Sequence, residues 1–470
     1  MYRQHKVSRR RLLRNVSLTA GSAAVIGAPS HTWASGGTAT FNINVAQAVR
    51  EVSFMSIGSL QEQEMYQRAI EAAQQEALND LNIKINWQAA PSNDWERIMT
   101  LFAAGEASDI QRIDDDRVYL LALENKIHQL DPWILDPEIG MDRALYYPRS
   151  FSSLAIEGYQ FGVIPASSAN VVYYNVDHFE QAGLAAPTSW NDAWTLEVFI
   201  ENVRKLAEVS GAYGVAFPSN VITPIMYGAG GTALTEDQTA CGFDGAEVEQ
   251  ALDQFVRLVV DEEIANRPEE VPLEMFNSGL ASMMWSAMNA GAEISQDISW
   301  GIMPWCKTPL HAMTENYDRA FVIPKSAQDP EAAFIALKAL TGKAPSDIYA
   351  QSRWGVPNLI ESAEGEAFNA PSLPPENKNV WAETFDSIGE QPVDVNVPRG
   401  PVGETWKSAI TEADLYGALF SGQITTREFL DTACDRVEER IQELNWSSAE
   451  GLNRLMESGA LTDPDAKVLA

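Results

Sequence analysis

The chain has 470 residues, 45% hydrophobic and 21% charged, a balance that suits two or three globular domains and excludes a mainly disordered or fibrous chain. Against 33 Lys and Arg stand 65 Asp and Glu, a formal net charge of −32, and so negative a field argues against general nucleic-acid binding and against anionic lipid surfaces. No run reaches the ~18 consecutive apolar residues that a membrane-spanning helix needs.

The charge is unevenly placed. Residues 1–34 carry six cations (Arg3, Lys6, Arg9, Arg10, Arg11, Arg14) and no acid; the remaining 436 residues hold 27 cations against 65 acids, a net −38. A basic head on an acidic body reads as a targeting segment. Ser8-Arg9-Arg10-Arg11-Leu12-Leu13-Arg14 resembles a twin-arginine export signal, Val16 to Ala28 supply a short apolar run, and Thr32-Trp33-Ala34 offers a cleavage site. No cysteine lies near that boundary, so a lipid anchor is not expected. The expected location is the periplasm.

Past the head, Val52, Phe54 and Ser56 alternate as a short strand, and Tyr66, Ile70, Ala73 and Ala77 recur at helical spacing. Ile83 to Trp87 alternates as a second strand, and Asp94 to Ala104 reads as a helix ending at Gly105. This β-α-β-α rhythm predicts an α/β unit with a parallel sheet. Phe161 to Pro165 and Val171 to Tyr174 read as β-structure. Ser189, with Asp192 three residues on, is the expected cap of a helix whose buried stripe is Leu196, Phe199, Ile200, Val203 and Leu206. Val248, Ala251, Leu252, Phe255 and Val259 mark another helix. Asp329-Pro330 opens a third with Phe334, Leu337 and Leu340 inward. Thr425 and Glu428 fit a capping box ahead of Phe429, Ala433, Val437, Ile441 and Leu444. Residues 370–379 read as a loop from their prolines, and 458–470 as a frayed tail. Cys241, Cys306 and Cys434 form no CxxC, and the histidines are scattered, which leaves little material for a metal site or a Ser-His-Asp relay.

Five ordered segments carry a resemblance. They are Ala104-Gly105-Glu106-Ala107-Ser108-Asp109-Ile110; Gly158 to Pro165 followed by Val172-Tyr173-Tyr174-Asn175-Val176-Asp177-His178-Phe179-Glu180-Gln181-Ala182-Gly183-Leu184 and Pro187-Thr188-Ser189-Trp190; Phe276 to Met283; Ala320 to Ser326 with Pro330-Glu331-Ala332-Ala333; and Trp354-Gly355-Val356-Pro357 ahead of Asn396-Val397-Pro398 and Trp406. Together they resemble the solute-binding proteins of sugar ABC importers, the maltose-binding-protein-like group. The resemblance implies an α/β, two-lobe periplasmic-binding-protein fold with a parallel-rich sheet in each lobe. It also implies three inter-lobe crossings, near Val163–Ala169, Asp318–Ile323 and Gly355–Asn358. The implied division is a signal at 1–34, an N-lobe from 38–163 and 318–356, a C-lobe from 164–317 and 357–457, and a tail at 458–470.

A sugar presents hydroxyls to planar polar side chains and its C–H faces to aromatic rings. Candidates for such a cleft follow from position. Ser59 and Gln61 follow the first strand at its carboxyl end, where α/β folds bind ligands, or else form a plain turn. Asp114 and Asp116, with Asp115 between them, stand where the family places a hydroxyl-binding carboxylate; a solvated turn or a calcium site is the alternative. Ser167, Ser168 and Asn170 lie on the first crossing. Trp285, Ser286 and Asn289 follow the strand that carries a stacking Trp in the family, with Trp285 as core the alternative. Tyr317 and Arg319 border the second crossing, Arg319 either clamping ligand or pairing with Asp318. Trp354 and Gly355 lie at the third, and Glu404 and Trp406 match the late cleft aromatic. No catalytic residue, cofactor or metal is expected. The expected partners are a sugar and an inner-membrane ABC permease, the protein itself being a monomer. A polyamine, peptide or organic acid in the same fold is the second reading, and an exported glycosidase with two carboxylates the third.

Overall fold

A computed structural model describes residues 48–90, 95–371, 375, 377–386 and 400–468. The signal expected at 1–34, the helix start expected at Asp94, the segment at 396–398 and part of the loop at 370–379 therefore lie outside the described residues. Eight strands form one mixed sheet: β1 (Arg50–Ile57), β2 (Ile83–Ala90), β3 (Ile110–Asp114), β4 (Ala166–Asn175), β5 (Met283–Ala287), β6 (Trp300–Met303), β7 (Asn316–Val322) and β8 (Val356–Pro357). Their lateral order is β6–β4–β7–β3–β1–β2, with β5 and β8 also on β4.

The first lobe grows from β1, which runs parallel to both β2 and β3. Alternation along each strand feeds two faces. Val52 and Phe54 of β1 join Phe321 of β7 in one core, while Met55 and Ile57 join Ala320 and Val322 in the other. The helix Leu60–Ala73 starts at a capping box in which Ser59 and Glu62 exchange hydrogen bonds, and Gly105, at φ 71°, ends the helix Trp95–Ala104. Helix Pro330–Leu340 is capped by Asp329 and lays Phe334, Leu337 and Leu340 on the first core, as its pattern predicts.

The second lobe surrounds the far half of β4, which pairs antiparallel with β5 and β6. Parallel pairing there is limited to single bridges such as Val215–Ala265 and Ala216–Met284, so the sheet as a whole is mixed. Its core takes the predicted stripes of Leu196–Ser210, Ala246–Val260 and Thr426–Leu444, and Thr425 and Glu428 form the expected capping box.

Three details depart from expectation. Phe161 to Pro165 forms no strand but a single bridge, Val163 with Phe321; pairing begins at Ala166, where β7 and β8 become available. Ser189 caps nothing: Trp190–Asp192 is an isolated 3-10 turn anchored by the buried Trp190, and Thr195 caps the helix by accepting from the Val198 N–H. Residues 459–468 are not a frayed tail. After the helix Ser448–Ser458, residues 459–468 dock on the first lobe, where the Val468 N–H donates to Asp131. One disulfide, Cys241–Cys434, ties a short hairpin to the helix Thr426–Leu444, and Cys306 is a buried thiol. No described helix is long and apolar enough to cross a membrane.

Candidate functional site

The segments expected to join the lobes lie side by side at Ser167, which pairs with Asp318 of β7 and with Val356 of β8. Asn358 binds this junction by donating to the Ile164 carbonyl and the Ser167 hydroxyl. Asp318, its side chain fully buried, takes a bond from Arg149 at 3.1 Å. The alternative reading of Arg319, a pair with Asp318, does not hold, because neighbours on a strand point to opposite faces. Arg319 turns instead to Glu62.

Beside this junction, the carboxyl ends of β1 and β3 open on a polar cleft. A cavity of about 230 Å³ is lined from the first lobe by Ser59, Gln61, Glu62 and Trp354, among others, and from the second by Asn289 and Glu293. Glu62 is its organising group. It accepts from the Ser59 N–H at 2.8 Å and the Trp354 indole at 2.8 Å, and its carboxylate lies 3.3 Å from Arg319 Nε. The Arg319 guanidinium also stands over the Trp354 ring, 5.2 Å from its centroid. Burial pushes the Glu62 carboxyl up, but Arg319, Arg112, the Ser59 N–H and the Trp354 indole outweigh it and hold it below its ordinary value. Arg112, buried in the cleft floor, sits 3.0 Å from Asp114. Burial would lower this guanidinium, yet Asp114, Tyr66 and Glu62 raise it overall, so it stays charged.

The acidic triplet is joined to this cavity through Arg112, which pairs with Asp114 and acts on Glu62. Asp114 precedes the helix Asp115–Leu123, and Asp116 faces the helix Pro401–Thr411 of the other lobe. Lys407 donates to Asp116 at 3.2 Å, and Arg117 lies 3.6 Å from Glu404. Burial raises the Glu404 carboxyl, with Arg117 opposing and Asp116 adding. Burial works to lower Lys407, but Asp116, Glu315 and Asp115 carry it above its ordinary value. Carboxylates interleaved with cations thus run from Glu62 through Arg112 and Asp114 to the contact of Asp116 with Lys407, an arrangement able to give and accept hydrogen bonds in fixed directions.

The remaining candidates separate. Asn289 lines the cavity and Ser286 is half-buried on β5. Ser168 accepts from the Met288 N–H, and Ser167 is committed to Asn358, so both serve the junction's interior. A Cβ on Gly355 would come within 2.8 Å of the Ser167 carbonyl, so this glycine permits β8 to approach β4. Tyr317 contributes backbone pairing to Ser168. Trp285 and Trp406 are fully buried in the second-lobe core, against Trp305 and Tyr227 respectively, and offer no exposed face for stacking. Of the candidate tryptophans, only Trp354 borders the cavity. Glu62, Arg112, Arg117 and Lys407 were not anticipated. Arg112 is legible in hindsight as a cation on a short strand between Ile110 and Ile113, whereas nothing local distinguishes Lys407 from a solvated lysine.

Asp116 Oδ1, Glu404 Oε1 and Arg319 Nε are met by ion pairs, whereas the buried Asn170 Nδ2 and Trp406 indole N–H have no hydrogen-bond partner among the described residues. Such atoms are costly to leave unmatched, roughly 1–3 kcal/mol each, and call for a specific reason. The acidic triplet does not converge as cation ligands; among the described residues only Cys241, Asp244 and Cys434 bring three such atoms together, and both cysteines are in the disulfide.

The comparisons agree with this architecture. A search of the curated proteins finds no significant match. An ABC substrate-binding protein of Listeria monocytogenes, solved in complex with cycloalternan, superposes with a TM-score of 0.72 at 19% identity, covering 84% of this chain and 99% of that one. A Thermotoga lettingae solute-binding protein bound with α-D-tagatose gives 0.69 at 17%, covering 83% and 100%. The GacH receptor of Streptomyces glaucescens, studied unliganded and with acarbose, gives 0.69 at 16%, covering 84% and 100%. These likenesses establish the two-lobe binding-protein fold. The model of the family "Bacterial extracellular solute-binding protein" matches residues 59–347, more than half of the chain, so the protein belongs to that family.

Proposed function

We propose that this chain is the substrate-binding component of an ABC importer. It captures a sugar or oligosaccharide between its lobes and presents it to an inner-membrane permease, without chemical turnover. The observation that carries the reading is the cleft itself. Glu62 and Trp354 of the first lobe face Asn289 and Glu293 of the second across the cavity, and the ion pairs Arg319–Glu62, Lys407–Asp116 and Arg117–Glu404 hold fixed charges beside it. Ligand contacts from both lobes exist together only in a closed state, which couples binding to a shape a permease can read. Structural relatives solved with cycloalternan, tagatose and acarbose support a polyhydroxylated ligand.

In this reading the contact set is Ser59, Gln61, Glu62, Asp114, Asp116, Asn170, Asn289, Arg319, Trp354 and Glu404, with Trp285, Trp406, Ser167 and Ser168 supporting from behind. Up to the C-terminal segment, which crosses back to the first lobe, the lobes divide at the boundaries given by the sequence, three chain passes join them, and export to the periplasm follows the twin-arginine route. Calorimetry of the purified protein against saccharides of one to seven units, with spermidine and putrescine alongside, tests the proposal. Saturable saccharide binding is expected; tight polyamine binding with no saccharide response would overturn it.

A further inference from the structure

The C-terminal segment forms a fourth tie between the lobes. Trp446 is buried in the second-lobe core, and its indole donates to Gln238 at 3.0 Å. Eleven residues of helix, Ser448–Ser458, then carry the chain onto the first lobe. There Leu455 and Ala460 enter one core and Val468 the other. The seat is specific. Gln129, 1% exposed, donates to the carbonyls of Asp463 and Ala466 and accepts from the Asp463 N–H. Asp131, 0% exposed, accepts from the Val468 N–H, and Arg143 donates to the Val468 carbonyl. These bonds satisfy the Gln129 amide in a place where the docked segment leaves it almost no access to water. The first lobe is therefore built to hold it.

The link between the attachments is short. Helix Thr426–Leu444 ends at Asn445, Trp446 is pinned in the core, and the next helix begins at Ser448. Only Ser447 lies between the pinned Trp446 and that helix, so little slack is available. The segment also grips the cleft's own framework. Tyr119, on the helix that carries Asp115, Asp116 and Arg117, lies 6.2 Å from the Trp446 ring, and Arg454 stands over that ring at 5.4 Å.

We propose that residues 446–468 are a strap outside the hinge strands. It limits how far the cleft opens and holds Asp116 and Arg117 within reach of Lys407 and Glu404. This rests on the two-lobe fold and on no choice of ligand.

Spin labels at Gln61→Cys and Glu293→Cys, on opposite walls of the cavity, report the separation of the lobes by pulsed electron resonance in the full chain, the buried Cys306 thiol being out of the label's reach. Two changes release the strap: Leu455→Glu, and a stop after Asn445. In either folded variant the expected result is a new population at longer distance that the unmodified chain lacks. An unchanged distance distribution in a folded variant, with the strap removed or cut readily by protease, overturns the proposal. Leu455→Glu keeps the test decisive if the shortened chain does not fold. Because no ligand is added, failure here is distinct from failure of the sugar reading.

Discussion

Replacing Cys434 with serine removes the Cys241–Cys434 disulfide, whose Cα atoms lie 5.5 Å apart across a sequence separation of 193. A loop that long restricts the unfolded chain strongly: the chain-entropy relation gives about 18 cal/mol/K, or about 5 kcal/mol at 25 °C. The bond ties the hairpin at Thr232–Leu234 and Cys241–Gly242 to the helix Thr426–Leu444, and both cysteines are already packed in the second-lobe core. Native contacts alone therefore hold much of this geometry, and a measured loss of about 3–5 kcal/mol is expected. Equilibrium urea unfolding, followed by tryptophan fluorescence with and without a phosphine reductant, reads it. The oxidised chain should unfold at higher urea than the reduced chain, and Cys434→Ser should match the reduced chain and ignore reductant. A midpoint that reductant leaves unmoved in the unmodified protein, with the bond shown to be broken, would refute the reasoning.

Other outcomes follow from the site and the core. Asp116→Asn removes the charge that meets Lys407 and should weaken binding of a saccharide identified in the panel by about 10- to 100-fold, as calorimetry would show, the worth of one charge-assisted hydrogen bond. Trp285→Ala should cost about 3–5 kcal/mol in urea unfolding and leave affinity near its original value, because the ring is core; a large affinity loss with little destabilisation would reverse that assignment. Burial, with Lys325 adding, depresses His128 from 6.5 to about 4. The unfolded chain thus takes up this proton first, and stability present above pH 6.5 is lost as pH falls toward 4. After discounting for partial exposure the loss is about 1–2 kcal/mol, and comparing unfolding midpoints at pH 7 and 5 for the parent and His128→Asn should show it shrink in the variant.

Much of the fold was legible because local patterns and tertiary demands coincide. The stripe Leu196 to Leu206 and the box Thr425/Glu428 depend on residues three or four apart, and a helix satisfies them wherever it sits. Ser189 failed as a cap because Thr195 offers the same chemistry six residues later, and burial of Trp190 chose between them. The tail lacks periodicity, so the order of residues 459–468 comes from a surface made by Gln129, Asp131 and Arg143, far away in sequence.

The site divides in the same way. By itself the sequence determined which segments bring polar groups to the carboxyl ends of β1 and β3, since strand position and helix caps are local properties. Only the tertiary structure decided which of those groups face the cleft. It turned Trp285 and Trp406 into core, gave Arg319 to Glu62 rather than to Asp318, and set Lys407 opposite Asp116. The physical reason is that burial and ion pairing are properties of distance in space, and the chain brings residues 291 positions apart within 3.2 Å only when both lobes are assembled.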